Sequence, residues 1–186
     1  MQILILYHSD YGNTEKMARA IGCGCEAADP TARVTLCRVD EAAPGRLVDA
    51  DVIFLGSPVH MGTMAWKVKK LIDECGKLWL ENALAGKIAG IFATGGGLGN
   101  AGGGVELTLI SLFANALEHG MIAVGFPKDL PGYADGGLHW GAYARCADAA
   151  GMPQPISEAA LVAARSYGAH VTEVALRFRA GADATA

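Results

Sequence analysis

The sequence predicts an α/β fold, a three-layer sandwich around a five-stranded parallel sheet in order 2-1-3-4-5. Three observations carry that prediction. Five short apolar runs alternate with segments of helical period, which means parallel strands joined by crossover helices. The first run, Ile3-Leu4-Ile5-Leu6, is apolar throughout and reads as a strand buried on both faces. Right-handed crossovers, with that strand near the centre, give the order.

The first strand ends at the polar stretch His8 to Thr14, and a helix follows from Glu15 with Met17, Ala18 and Ile21 on one side. Gly22 and Gly24 are expected to end that helix, and Asp29-Pro30 makes a turn. Alternation from Arg33 to Val39 predicts the second strand. Residues 40–50, with Pro44 and Gly45, leave room for one helical turn before the third strand, Asp51 to Gly56. Met64, Val68, Leu71, Ile72, Cys75 and Leu78 fall at the spacing of a single helix. Lys87 to Ala93 is the fourth strand, and a loop of unusual glycine content runs from Thr94 to Gly104. The next helix shows Val105, Leu109, Leu112, Phe113, Ala116 and Leu117 on one side, and Gly120 ends it. Met121 to Phe126 is the fifth strand, closed by Pro127.

Residues 127–156 show no clear periodicity. Tyr133, His139, Trp140 and Tyr143 among glycines favour an ordered lid or a subunit contact there. Ser157 and Glu158 open a last helix that reaches Phe178. Residues 1–180 are expected to form a single domain and residues 181–186 a disordered tail.

A chain of 186 residues suits one domain with a substantial core. A net charge of -4 without a run of Lys or Arg argues against nucleic-acid binding. No apolar run is long enough to span a bilayer, and the N-terminus carries no charged leader. The five cysteines are odd in number and include no C-x-x-C pair, so they read as reduced thiols of a cytoplasmic protein. Cys23-Gly24-Cys25 reads as small residues at a helix end and not as a metal site.

Three loops carry the candidate chemistry, and the fold brings them to one edge of the sheet. Ser9, Asp10, Tyr11, Gly12, Asn13 and Thr14 lie between a strand and a helix. A helix N-terminus offers unpaired N–H groups and partial positive charge, Ser9 and Thr14 add hydroxyls, and Gly12 lets backbone approach a ligand. With no Lys or Arg in the loop, neutral donors would hold a phosphate. The loop contains neither G-x-x-x-x-G-K-[ST] nor G-x-G-x-x-G, which excludes a P-loop and the dinucleotide fingerprint. A flat ring could then lie between Pro58, Val59, His60, Met61 and Gly62 on one side and Thr94, Gly95, Gly96 and Gly97 on the other.

The pattern Ser9-x-Tyr11-Gly12-Asn13-Thr14 resembles the flavin mononucleotide (FMN) phosphate loop of flavodoxin-like proteins. Tyr11 makes it similar to the Trp-repressor-binding-protein type of NAD(P)H:quinone oxidoreductase. Gly56 to Met64 resembles the isoalloxazine loop of that family, and Thr94-Gly95-Gly96, Gly102-Gly103-Gly104 and Glu106 its glycine-rich loop. Ala116 to Met121 resembles the segment whose His, here His119, approaches the flavin from a neighbouring subunit. Leu78-Trp79 resembles the segment whose Trp lines the nicotinamide or quinone pocket, and Gly136 to Ala142, with His139, a loop before the last helix. The departures are the short segment 40–50, His60-Met61 in the ring loop, and extra residues at 97–101.

The resemblance, which covers about residues 1–180, implies a flavodoxin-like sandwich that binds FMN and uses NAD(P)H as co-substrate. It implies two-electron transfer to a small-molecule quinone, without a protein nucleophile or essential general base, in a homodimer or homotetramer. His119, His139 and Trp140 are expected near a flavin edge, although His119 could simply complement a helix dipole and Trp79 could belong to a core or interface. A different reading is a flavodoxin-type carrier that docks on proteins and passes single electrons. Val59, His60 and Met61 offer no acid or aromatic to frame the ring, which favours the enzyme. A third reading is a flavin-binding regulatory or scaffold protein.

Overall fold

Strands that are apolar at successive positions must be covered on both faces, and the sheet obeys that demand. The computed structural model describes residues 1–98 and 102–183; residues 99–101 of the glycine loop and 184–186 of the expected tail lie outside the described residues. β1 (Gln2–Tyr7) sits between β2 (Arg33–Arg38) and β3 (Val52–His60), and β5 (Ile88–Gly95) follows β3, all parallel. β4 (Thr63–Met64) turns back antiparallel on the end of β3. Ile3, Ile5, Phe54 and Phe92 pack against α1 (Asn13–Ala28) and α6 (Glu158–Asp183). Leu4, Leu6, Ile53 and Leu55 pack on the other face against α2 (Trp66–Glu74), α3 (Gly76–Leu80) and α4 (Val105–Glu118). The expected helical turn before β3 is the 3₁₀ turn Pro44–Leu47.

The far edge of the sheet differs from expectation. β6 (Ile122–Val124) pairs with Ile88–Gly90 of β5, but Phe92–Gly95 pair with a second short strand, β8 (Gly141–Arg145). α5 (Tyr133–Gly136) and the antiparallel β7 (Gly137–Leu138) precede β8. Among the described residues the sheet therefore has eight strands and not five, although β2, β1, β3, β5 and β6 keep the expected neighbours. Segment 127–156 thus supplies a strand. Its sequence hid this because the buried positions of β8 are Ala142 and Ala144, too small to mark an apolar run.

The split edge leaves Ile91 between two partners, and one side chain closes the gap. Tyr167 of α6, fully buried, accepts a hydrogen bond from the Ile91 N–H (3.0 Å) and donates to the Val124 carbonyl (2.6 Å). Burial pushes the Tyr167 phenol up, so it stays protonated as a donor.

Three helix boundaries also move. α1 runs through Gly22 and Gly24 to Ala28. A Cβ at Gly24 would stand 2.0 Å from the Arg165 carbonyl oxygen, and one at Gly168 would stand 2.2 Å from the Ile21 oxygen. Those glycines let α1 and α6 touch backbone to backbone; they are not stop signals. The single helix expected over 64–78 is β4, α2 and α3, broken where Cys75 leaves helical geometry (ψ 7°) ahead of Gly76. α6 continues to Asp183, beyond the Ala180 boundary.

Tyr167→Phe should lower stability by on the order of 2–4 kcal/mol, because it strands a buried N–H and a buried C=O. Urea unfolding of the FMN-free protein measures this. Unchanged stability would mean that the split edge needs no such bridge.

Candidate functional site

The three loops meet at the carboxyl edge. Ser9, Asp10, Tyr11, Asn13, Thr14, Pro58, Val59, His60, Thr94, Gly95 and Gly96 line one cleft. Gly12 caps α1 in the left-handed region (φ 82°), a position that favours glycine. No side chain caps this helix, and its first backbone bond runs from the Lys16 N–H to the Gly12 carbonyl. The N–H groups of the first turn therefore face the cleft end with the positive end of the dipole.

Ser9 Oγ is buried and has no hydrogen-bond partner among the described residues. A buried hydroxyl without a partner is costly, and its place at a helix N-terminus fits an anionic ligand atom. Thr14 Oγ1 bonds Thr94 Oγ1 at 2.7 Å, fully buried, and so ties the first loop to the third. Asn13 turns away to other work: its Nδ2 donates to the Gln154 carbonyl (2.8 Å) and its Oδ1 accepts from the Ile156 N–H (3.0 Å).

β3 extends to His60, so the ring loop is a hairpin rather than an open loop. Met61 (φ 47°) and Gly62 (φ 87°) both lie in the left-handed region, the geometry of a two-residue hairpin turn. Met61 is fully exposed at its tip. The glycine-rich loop packs on this hairpin. A Cβ at Gly104 would stand 2.3 Å from the Gly62 carbonyl oxygen, so this glycine admits a close approach of protein backbone, not of a ligand. Gly97 lies outside the cleft, and its carbonyl accepts from Arg145 Nη2 at 2.9 Å.

Asp10 would oppose an anion, but its oxygens are engaged. His8 Nε2 lies 3.1 Å from Oδ1 and His60 Nε2 2.9 Å from Oδ2. Sequence reasoning missed His8, which stood without a role at the start of the polar stretch after the first strand. It also missed Arg38, whose guanidinium donates to the Ser9 carbonyl at 3.4 Å and brings a cation beside the cradle. Cys146, Ala147, Gly151 and Pro153 form a further wall of the cleft. Asp148 folds that wall by accepting the N–H groups of Ala150 and Met152, each at 2.9 Å. A Gly- and Pro-containing run around one Asp was its only sequence signal. Burial pushes the Cys146 thiol up to about 11, so it is protonated and unreactive at neutral pH.

Trp79 and His119 do not line this cleft within one chain. They meet in a separate pocket with Met64, Ile72, Ser111 and Asn115, between α2, α3 and α4. His119 Nδ1 is buried without a partner among the described residues, and burial holds its pKa below the usual histidine value. His139 stacks on Trp140 with ring centroids 4.7 Å apart.

A parallel sheet with a cleft at the switch point between its first and third strands defines a nucleotide- or flavin-binding α/β protein. The Flavodoxin family profile matches residues 5–129. The chain belongs to the flavodoxin family. It is 34% identical to NAD(P)H dehydrogenase (quinone) of Paracoccus denitrificans, over 96% of each chain. It is 33% identical to NAD(P)H dehydrogenase (quinone) 3 of Rhizobium meliloti, over 97% of this chain and 94% of that one. Among solved structures, a flavodoxin, WrbA-like protein from Agrobacterium tumefaciens superposes with a TM-score of 0.72 at 30% identity, covering 95% of this chain and 98% of that one.

Ser9→Ala should weaken FMN binding by about 1.5–3 kcal/mol, the range for a hydrogen bond to a charged group. It should leave the FMN-free protein at least as stable as before, because the hydroxyl it removes is buried and has no partner there among the described residues. A fluorescence titration and a thermal melt together measure this. Unchanged affinity would place the phosphate elsewhere.

Proposed function

We propose that the chain is an FMN-dependent oxidoreductase that transfers two electrons from NAD(P)H to quinones. One observation carries the reading: a buried, unpartnered Ser9 hydroxyl stands at an uncapped helix N-terminus, in the cleft where three strand-end loops meet. The names of the relatives at 33–34% identity support the donor and acceptor classes.

Bound FMN would supply the redox chemistry, taking hydride from NAD(P)H and passing two electrons to a quinone. The chain's own residues bind and orient. Ser9, Thr14 and the first-turn amides of α1 would hold the phosphate by neutral donors and the helix dipole. Arg38 adds positive charge at one remove. Pro58, Val59 and His60 on one side and Thr94, Gly95 and Gly96 on the other would hold the ring. Asp10 and Tyr11 close the cleft from the cradle side, with Tyr11 largely exposed.

The one-electron carrier is the competing function. Anaerobic mixing with NADH and with NADPH separates the two. Rapid bleaching of the FMN-loaded protein by at least one of them, and reoxidation by a quinone in a 1:1 ratio, is the expected result. A protein that neither nicotinamide reduces, but that a reductase partner does, would be a carrier.

The assembly is part of the proposal. Trp79, Leu80, Leu107, Ile110 and Leu117 are exposed apolar residues on α3 and α4, next to the Trp79–His119 pocket. Covering that surface with a second copy would bring Trp79 and His119 toward a neighbour's cleft, in a homodimer or homotetramer. His139 and Trp140 would approach a flavin edge in that assembly. Light scattering of the FMN-loaded protein should give a mass of two or four chains; a fully active monomer would contradict it. No helix among the described residues is long and apolar enough to cross a membrane. The free cysteines, four of the five buried, suit a reducing cytoplasm.

A further inference from the structure

Residues His8, Asp10 and His60 form one connected array. His8 is 2% exposed, and its Nε2 lies 3.1 Å from Asp10 Oδ1. The other carboxylate oxygen, Oδ2, lies 2.9 Å from His60 Nε2. The two imidazoles stand edge to face with centroids 6.2 Å apart. The array joins the end of β1 to the tip of the β3–β4 hairpin. Both carboxylate oxygens face an imidazole Nε2, so Asp10 fixes the tautomer and the plane of each ring.

His60 also stands where two spaces meet. It lines the cleft beside Pro58, Val59 and Thr94. It equally lines a broad neighbouring groove whose walls are Met61, Met64 and Trp66 together with Lys69, Lys70, Asp73 and Glu74 of α2. The two lysines pair with the two carboxylates, Lys69 with Asp73 and Lys70 with Glu74, and the apolar part of the groove suits a flat acceptor placed against the ring slot. The half-exposed imidazole is thus the titratable group at the junction.

Two-electron reduction of a quinone consumes one proton beyond the transferred hydride: NAD(P)H + H⁺ + quinone gives NAD(P)⁺ + hydroquinone. We propose, resting on the functional reading above, that His60 gives this proton to a quinone oxygen, with Asp10 and His8 as its positioning residues. The Nδ1–H bond of the His60 imidazolium breaks as the O–H bond of the hydroquinone forms, Nε2–H stays on Asp10 Oδ2, and a solvent proton then returns to Nδ1. Asp10 stabilises the imidazolium, and the buried His8 holds Asp10 in place. Of the other charged groups nearby, Arg38 on β2 bonds the Ser9 carbonyl and pairs with Asp40, and Lys67 on α2 pairs with Asp40 as well. Arg19 and Glu15 pair with each other on α1.

The test compares quinone with ferricyanide, which accepts electrons without a proton. The FMN-loaded wild type, His60→Gln, His60→Ala and Asp10→Asn are reduced by NAD(P)H and mixed with each acceptor. Gln can still donate to Asp10 but cannot release a proton. General-acid catalysis is worth about 10²–10⁴-fold, so the quinone-to-ferricyanide rate ratio should fall by about tenfold or more in both His60 variants. In the FMN-free protein, Asp10→Asn should shift the side-chain ¹⁵N resonances of both His8 and His60. A wild-type ratio in His60→Gln would overturn the proton role, as would imidazole resonances that ignore Asp10→Asn. A wild type that reduces ferricyanide but no quinone would overturn the functional reading itself, and this one with it.

Discussion

The placement of α1 governs the site. Its N-terminus is useful only if it points at the switch point of the sheet and stays there. Two contacts impose that. Gly24 and Gly168 let α1 and α6 approach so closely that a Cβ on either would strike backbone. At the other end, the buried Thr14–Thr94 hydrogen bond fixes the first helical turn to the end of β5. A helix pinned at both ends presents its amides without further ordering, which is what anion binding by neutral groups requires.

The charges around the cradle follow from that choice. With no cation in the loop, a carboxylate at Asp10 would work against a phosphate at short range. The chain answers with imidazoles on both oxygens, and with Arg38 anchored to the loop backbone. The same device also ties the ring hairpin to the cradle. Asp10 is therefore an element of the site's geometry and not a misplaced charge.

Much of the fold was legible because its signals are local. β1, β3 and β5 announce themselves as apolar runs, and the Ser9–Thr14 loop stands directly after the first of them. What escaped was non-local. Gly22 and Gly24 look like helix ends unless the sheet is known to pack against Gly22 and α6 against Gly24. Ala142 and Ala144 carry too little apolar bulk to reveal β8, whose partner lies some fifty residues earlier in the chain. The glycines after β5 were legible as close approach, but Gly104 meets the hairpin backbone rather than a ligand. In the site, Pro58, Val59, Thr94 and Gly95 were legible as loop residues after strands. The wall of Cys146 to Pro153 was not, because its ties to the cleft are long-range: the Cys146 N–H donates to the Gly95 carbonyl, and Asn13 holds Gln154.

An amide NMR titration of the FMN-free protein with FMN decides whether the three strand-end loops form one flavin site. The largest shifts are expected at Tyr11 to Thr14, at His60 and at Thr94 to Gly96, saturating together at one equivalent. Shifts centred on Trp79 and His119, with those loop amides unmoved, would contradict that site.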